Sequence, residues 1–252
     1  MVSIEFVAIL LALFAIAGLY SSVGLGGASG YLAILSMTTF ASDDVIWLKQ
    51  YAWSLNLVVA GLAFWHYSRS GHHVMALSVP FVSASVPMAA VGGYLLVEGE
   101  LYDLLLSLAL VVAAWRLLAE DEWAEEASRP SVVKAALVGG TIGLASGVIG
   151  IGGGIFLLPA LILGGWATAK EAAATTSIFV WLNSLAGLMG AGLAGSLDID
   201  ASLMFPFLAA VLLGGIIGSR YGSQVSSQKG FRVVLVVVLV LAASKRVFEV
   251  IN

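Results

Sequence analysis

The sequence predicts an all-α integral membrane protein of two inverted repeats, about five helical segments each, with glycine-broken helices or hairpins at the start of each repeat. Three observations predict this class. The chain is 60% hydrophobic and only 10% charged, with a mean hydropathy of +1.04, which leaves too little polar surface to coat a soluble domain of this size. Its apolar runs recur along the whole length and exceed the roughly 20 residues that cross about 30 Å of hydrocarbon. Third, the chain is one unit written twice. An offset of 126 lays Gly24-Leu25-Gly26-Gly27 on Gly150-Ile151-Gly152-Gly153, Ala60-Gly61-Leu62 on Ala186-Gly187-Leu188, Pro80-Phe81 on Pro206-Phe207, and Gly92 on Gly218. Backbone geometry dictates where Gly and Pro stand, so their recurrence outweighs shared leucines.

The first repeat, 1–119, predicts helices near 4–21, 28–40, 44–67, 74–97 and 102–119. The second, 131–252, predicts them near 132–147, 154–166, 169–194, 201–222 and 229–249. Between the repeats, residues 120–130 are strongly acidic and end in Ser128-Arg129-Pro130, which reads as a solvated linker. The first segment holds an Ala15-Ile16-Ala17 triplet of signal-peptidase type. It lacks a basic stretch in front and its equivalent recurs within the second half, so it reads as a retained helix.

The stretch from Ile4 to Phe40 is too long for one crossing and is interrupted at Gly24, Gly26, Gly27 and Gly30, as its counterpart is around Gly147 to Gly154. Such a stretch is either a helix broken at mid-membrane or a hairpin that enters and turns back, and its backbone must face protein or a water-filled cavity. Charge separates the two shapes. With hairpins, Arg69, Arg116, Arg129, Lys134, Lys170, Arg220 and Lys229 share one side against Lys49, Lys245 and Arg246; with single crossings the split is six against four. The positive-inside rule favours hairpins, with both termini outside and the central linker cytoplasmic.

Several function classes drop out. The net charge is −4 and the acids gather at 120–126, so neither a nucleic-acid surface nor a polybasic lipid patch is present. The absence of cysteine removes disulfides, thiolate metal sites and a cysteine nucleophile. His66, between Trp65 and Tyr67, fits an aromatic belt, and His72-His73 beside Arg69 make a poor metal site, so no metal, cofactor or catalytic group is expected. No Asp or Glu stands clearly mid-span, which tilts a transported substrate towards an anion.

The candidate binding residues follow from the duplicated break, the strongest sequence pointer to a transport site in a membrane chain. Gly24, Gly26, Gly27 and Gly150, Gly152, Gly153, Gly154 allow left-handed backbone and bare the N–H groups that open the next helix, an anion site without a basic side chain. Close helix packing by small residues is the competing explanation. Thr175, Thr176 and Ser177 place three hydroxyls inside an apolar helix, where each could also bond back to its own helix. Their equivalents are Lys49, Gln50 and Tyr51. Lys49 is thus either an anion ligand beside a glycine turn or an interfacial lysine snorkelling to the headgroups. Asn56 and Asn183 fall mid-helix, one residue out of register, as cross-helix contacts or ligand donors.

These residues resemble the sulfite exporter TauE/SafE family of multi-pass permeases. The second half carries the likeness best: Gly150 to Gly154 followed by Pro159, then Ala172 to Ser177 resembling an Ala-x-x-Thr-Ser segment, Gly195-Ser196-Leu197-Asp198 resembling a Gly-x-x-Asp loop, and Gly214 to Ser219 resembling a Gly-x-x-x-Gly-Ser helix. In the first half Ala28 replaces a glycine, Ala33 stands where proline is expected, and Lys49-Gln50-Tyr51 replaces Thr-Ser. The resemblance implies an inner-membrane secondary transporter, not an enzyme, that moves small sulfur-containing anions such as sulfite, sulfonates or sulfoacetate by alternating access. Its partners would be the anion and the lipid bilayer, with no nucleic acid and with room for a homodimer. A permease for carboxylates or another small organic anion is the alternative, and a non-transporting membrane scaffold a distant one.

Overall fold

A computed structural model describes residues 4–36, 38, 45–95 and 127–224. Within them lie eight helices: α1 Ile4–Ser21, α2 Ala28–Ser36, α3 Val45–Arg69, α4 Met75–Tyr94, α5 Val132–Ile149, α6 Gly154–Leu163, α7 Ala169–Leu193 and α8 Ala201–Gln224. The expected segments 102–119 and 229–249, and the acids at 120–126, lie outside the described residues. Elsewhere helix starts fall within one residue of expectation and ends within four.

Local chemistry sets these boundaries. Ser131 caps α5 by accepting from Lys134 N, and Thr168 and Glu171 form a capping box on α7. Gly150 closes α5 in a left-handed conformation, φ +88°. Gly153, φ +78°, opens α6 with no side-chain cap. Five helices, α1, α4, α5, α7 and α8, are long and apolar enough to cross a membrane. α3 is as long as α7 but carries Lys49, Gln50, Asn56 and His66. Large apolar side chains such as Leu137, Leu193 and Phe205 are exposed on the outside, whereas Asn56, Ser85, Thr175 and Asn183 are buried within. That polarity suits a bundle in lipid.

The chain doubles back at both glycine turns. A side chain at Gly30 would meet Ile16, with Tyr20 at 3.5 Å, and one at Gly153 would lie 3.0 Å from Ile142. α6 returns the chain to the end where α5 began: Ser128 N donates to Gly165 O at 2.7 Å, and the Lys134 ammonium sits 4.8 Å from the Trp166 ring centroid. α2 has nine residues, about 14 Å of helix, too short to span the hydrocarbon. In the second half those contacts between the end of α6 and the start of α5 make the break a hairpin.

The halves interlock by exchanging neighbours. α1 packs on α8 and α5 on α4, while α3 crosses α7 at the centre. Gln50 near the start of α3 reaches Ser196, just beyond the end of α7, so those two helices run antiparallel. The same close approach is built twice: a Cβ at Gly218 would strike the Gly18 carbonyl, and one at Gly92 would come within 2.5 Å of the Leu144 carbonyl oxygen, the residue 126 positions after Gly18. Gly61 lies under Trp181 and Gly187 under Trp53. Lipid tails are as apolar as leucine, so backbone-to-backbone packing through small residues holds the bundle.

Alanine scanning at two glycines separates contact from composition. Gly218→Ala is expected to cost about 1–3 kcal/mol by overpacking and lower the detergent melting temperature by several degrees. Gly140→Ala, whose Cβ would lie 3.8 Å from that of Ala84, should be neutral or slightly stabilising. Equal melting temperatures for the two variants would contradict the α1–α8 contact.

Candidate functional site: two glycine turns around Asn56

Five turn glycines are left-handed: Gly24 (φ +76°), Gly27 (+101°), Gly150 (+88°), Gly152 (+71°) and Gly153 (+78°). An L side chain there is strained by roughly 1–2 kcal/mol per residue. Gly26 needs its missing side chain for another reason, since a Cβ would collide with the Asn56 amide and lie 2.9 Å from Val180. A Cβ at Gly152 would lie 2.7 Å from Asn56 Nδ2, 2.9 Å from Val180 and 3.0 Å from Ser184 Oγ. The two turns therefore meet around one asparagine. Asn56 is the twelfth of 25 residues in α3, and Val180 the twelfth of 25 in α7, so the meeting point is at mid-height of the crossing. Asn56 Nδ2 donates to Ser184 Oγ at 3.2 Å, and its buried Oδ1 has no hydrogen-bond partner.

Each turn also leans on the long helix of the other half. Gly24 abuts the Ala173 backbone of α7, and Gly150 abuts the Lys49 side chain of α3, with a Cβ position 2.5 Å from its Cγ. Lys49 is 2% exposed, so it lies inside the protein beside the turn rather than out at the headgroups. Thr176 brings its methyl to 3.1 Å of a Cβ at Gly154, and its buried hydroxyl is unpartnered.

Other expected residues are committed elsewhere. Gln50 holds the α7–α8 loop, donating to Ser196 O at 2.5 Å and accepting from Asp198 N at 2.7 Å. Ser177 bonds back to Ala174 O at 2.8 Å, and Thr175 accepts from Ser78 Oγ at 3.2 Å. Asn183 Oδ1 accepts from Ser85 Oγ at 2.9 Å, leaving Nδ2 buried and unpaired. The structure thus brings Gly26 and Gly152 to Asn56, Gly154 to Thr176 and Gly150 to Lys49, while Gly27 and Gly153 lie in the same two turns and Gly24 against Ala173.

A small cavity, with room for about one water molecule, opens between the turns, lined among others by Tyr20, Gly26, Gly27, Ser29, Gly154 and Val180. Tyr20, Ser29, Val180 and Ser184 escaped the sequence reading. One signal could have found the first. Tyr20 and Ser146 are equivalent at the 126 offset, so each half carries a hydroxyl four residues before its first turn glycine. The cavity wall brings in the first turn of α2 and of α6, whose opening N–H groups have no intrahelical partner and whose dipoles present partial positive charge. No carboxylate is among the described residues lining it.

The histidines serve the bundle's edge. His66 Nδ1 meets Ser219 Oγ at 2.8 Å, His72 Nε2 the Ser223 carbonyl at 3.2 Å, and His73 Nε2 Ser78 Oγ at 3.0 Å. In the α3–α4 loop, burial holds the imidazoles of both His72 and His73 below their usual value, and for His72 nearby Lys170 adds to the effect while the Ser223 carbonyl opposes it.

A helical bundle that encloses a duplicated polar centre at mid-height, with chain breaks facing it, is the architecture of a multi-pass membrane transporter. The chain belongs to the sulfite exporter TauE/SafE family, whose model matches residues 9–246. A protein of Sinorhizobium fredii (strain NBRC 101917 / NGR234) described as "Probable membrane transporter protein y4hK" is 33% identical over 247 residues, covering 96% of this chain and 98% of the relative. No solved structure matches.

Two measurements probe these contacts. Because both loop imidazoles titrate lower when folded, the unfolded chain binds more protons once pH drops below about 6.5. The melting temperature should therefore fall from pH 7 to 5, and His72→Gln with His73→Gln should flatten that fall; an unaltered slope rejects the assignment. Gln50→Ala should speed amide exchange or proteolysis at 196–198 while leaving the turns protected.

Proposed function

We propose that the chain is a secondary transporter for small sulfur-containing anions such as sulfite, sulfonates or sulfoacetate. The observation that carries this reading is the meeting of the two glycine turns at Asn56, beside a cavity lined by the first turns of α2 and α6 with no carboxylate among the described residues of its lining. Backbone N–H groups and two helix dipoles favour a negative ligand there. Lys49, buried against Gly150, adds a cation at the second turn. The substrate would lie against Gly26, Gly27, Gly152, Gly153 and Gly154, with Asn56 and Thr176 as polar contacts. Movement of repeat 1–119 against repeat 131–252 would open the site to alternate sides.

Inverted repeats in an inner membrane fit the placement of charge. Arg129 pairs with Glu171 at 2.6 Å, Lys134 stacks on Trp166, and Lys170 and His72 both reach the Ser223 carbonyl. Arg69, Arg129, Lys134, Lys170 and Arg220 thereby gather at one end of the bundle, the end assigned to the cytoplasm by the positive-inside rule. The antiparallel course of α3 and α7 and the hairpin at α5–α6 support the same reading.

The test is ligand stabilisation of purified protein by sulfite, methanesulfonate and sulfoacetate against acetate and other short carboxylates. A ligand at a hundred times its dissociation constant stabilises the folded state by about 2.7 kcal/mol. Stabilisation by the sulfur anions supports the proposal, stabilisation by carboxylates alone moves the substrate to that class, and no shift with any anion rejects it. Lys49→Ala should weaken binding about tenfold, a loss of about 1.4 kcal/mol. Lys170→Ala, whose ammonium reaches Ser223 O at the bundle's end, should leave affinity unchanged.

A further inference from the structure

We infer that Tyr20 is the side chain that recognises the oxygen atoms of the transported anion, and that Ser29 is its positioning residue. This deepens the anion reading above and rests on it. The cavity between the turns is walled by Leu25, Ile151, Ile155 and Val180, by the turn backbones, and by two hydroxyls, those of Tyr20 and Ser29. Tyr20 is 2% exposed. Ser29 Oγ donates to Tyr20 Oη at 3.1 Å.

The direction of that bond matters. A phenol has one proton to donate, and with Ser29 Oγ as the donor of their shared bond that proton is left for another acceptor. Receiving a hydrogen bond also makes the phenol a stronger donor. Among the described residues the wall has no carboxylate to take the proton, and it includes the first turns of α2 and α6, where backbone N–H groups lack intrahelical partners. An oxyanion with several compact acceptor oxygens, as in a sulfonate or sulfite, answers both sets of donors.

The duplicated architecture makes the choice of Tyr20 informative. Its equivalent in the second half, Ser146, is also fully buried, and its hydroxyl has no partner. Ser146 lies against Gly153, with its Cβ 3.2 Å from where a side chain there would begin, yet it does not reach the cavity wall. A serine hydroxyl stays within one bond of Cβ, whereas a phenol projects a whole ring further. Tyr20 therefore breaks the twofold likeness of the site and orients the anion's oxygens towards the first half.

The experiment compares wild type, Tyr20→Phe, Ser29→Ala and the double variant as purified full-length protein, titrated with sulfite and with methanesulfonate. Tyr20→Phe should bind about tenfold more weakly, as expected for loss of a hydrogen bond to a charged acceptor, with its ligand-free melting temperature near that of wild type. Ser29→Ala should lose a few-fold, and the double variant should be no worse than Tyr20→Phe, because Ser29 acts through the phenol. Wild-type affinity in Tyr20→Phe overturns the assignment and leaves the anion reading standing. If wild type binds neither probe, both fall together. Should Tyr20→Phe not fold, Ser29→Ala decides: weakened binding supports the role of the phenol, and unchanged binding overturns it.

Discussion

Irregular backbone in a membrane is tolerated only where protein or trapped water surrounds it, and the fold is organised to meet that demand for two glycine turns. Each turn interrupts the chain at mid-height of the α3–α7 crossing, beside Asn56 and Val180. The protein places the turns against each other, with the Asn56 amide between Gly26 and Gly152. α3 and α7 cross there, so the two longest of the described helices pack over the breaks. The same enclosure sets the first turns of α2 and α6 on the wall of one small cavity.

Close packing makes this enclosure possible. Gly18 against Gly218, Leu144 against Gly92, and Gly143 against Ser85 bring helix backbones together without intervening side chains. α1 is thereby held to α8, and α5 to α4, across the boundary between halves. Since each half's first helix belongs structurally to the other half's fourth, neither half buries its own turn alone. Relative movement of the repeats would change the surroundings of both turns together.

The halves are alike in backbone and unlike in side chains. At the positions where α7 has Thr175-Thr176-Ser177, α3 has Lys49-Gln50-Tyr51. Gln50 and Tyr51 fasten the opposite loop, Gln50 at Ser196 and Asp198 and Tyr51 at Asp200, whereas Thr176 stays beside Gly154 with its hydroxyl unpaired. Lys49 lies inside, along the Gly150 turn. One element of this asymmetry fastens a loop, and another packs a buried lysine against a glycine turn.

The sequence by itself determined the helices, the breaks and the membrane setting. Apolar run length, Gly24 to Gly27 and Gly150 to Gly154 are local signals: hydrocarbon thickness sets the first and left-handed backbone requires the others. Side-chain partnership was not legible, because it depends on which helix lies opposite. Ser177 and Thr176 are neighbours in sequence, yet one hydroxyl closes on its own helix and the other remains open. Gln50 looks like a site residue in a one-dimensional repeat alignment, and only the loop folded against it shows where its amide goes. Tertiary structure alone brought the turns together at Asn56, made the break at α5–α6 a hairpin, and set Tyr20 and Ser29 on the cavity wall. Those decisions rest on contacts between residues more than a hundred positions apart, or across a chain reversal, for which local periodicity carries no signal.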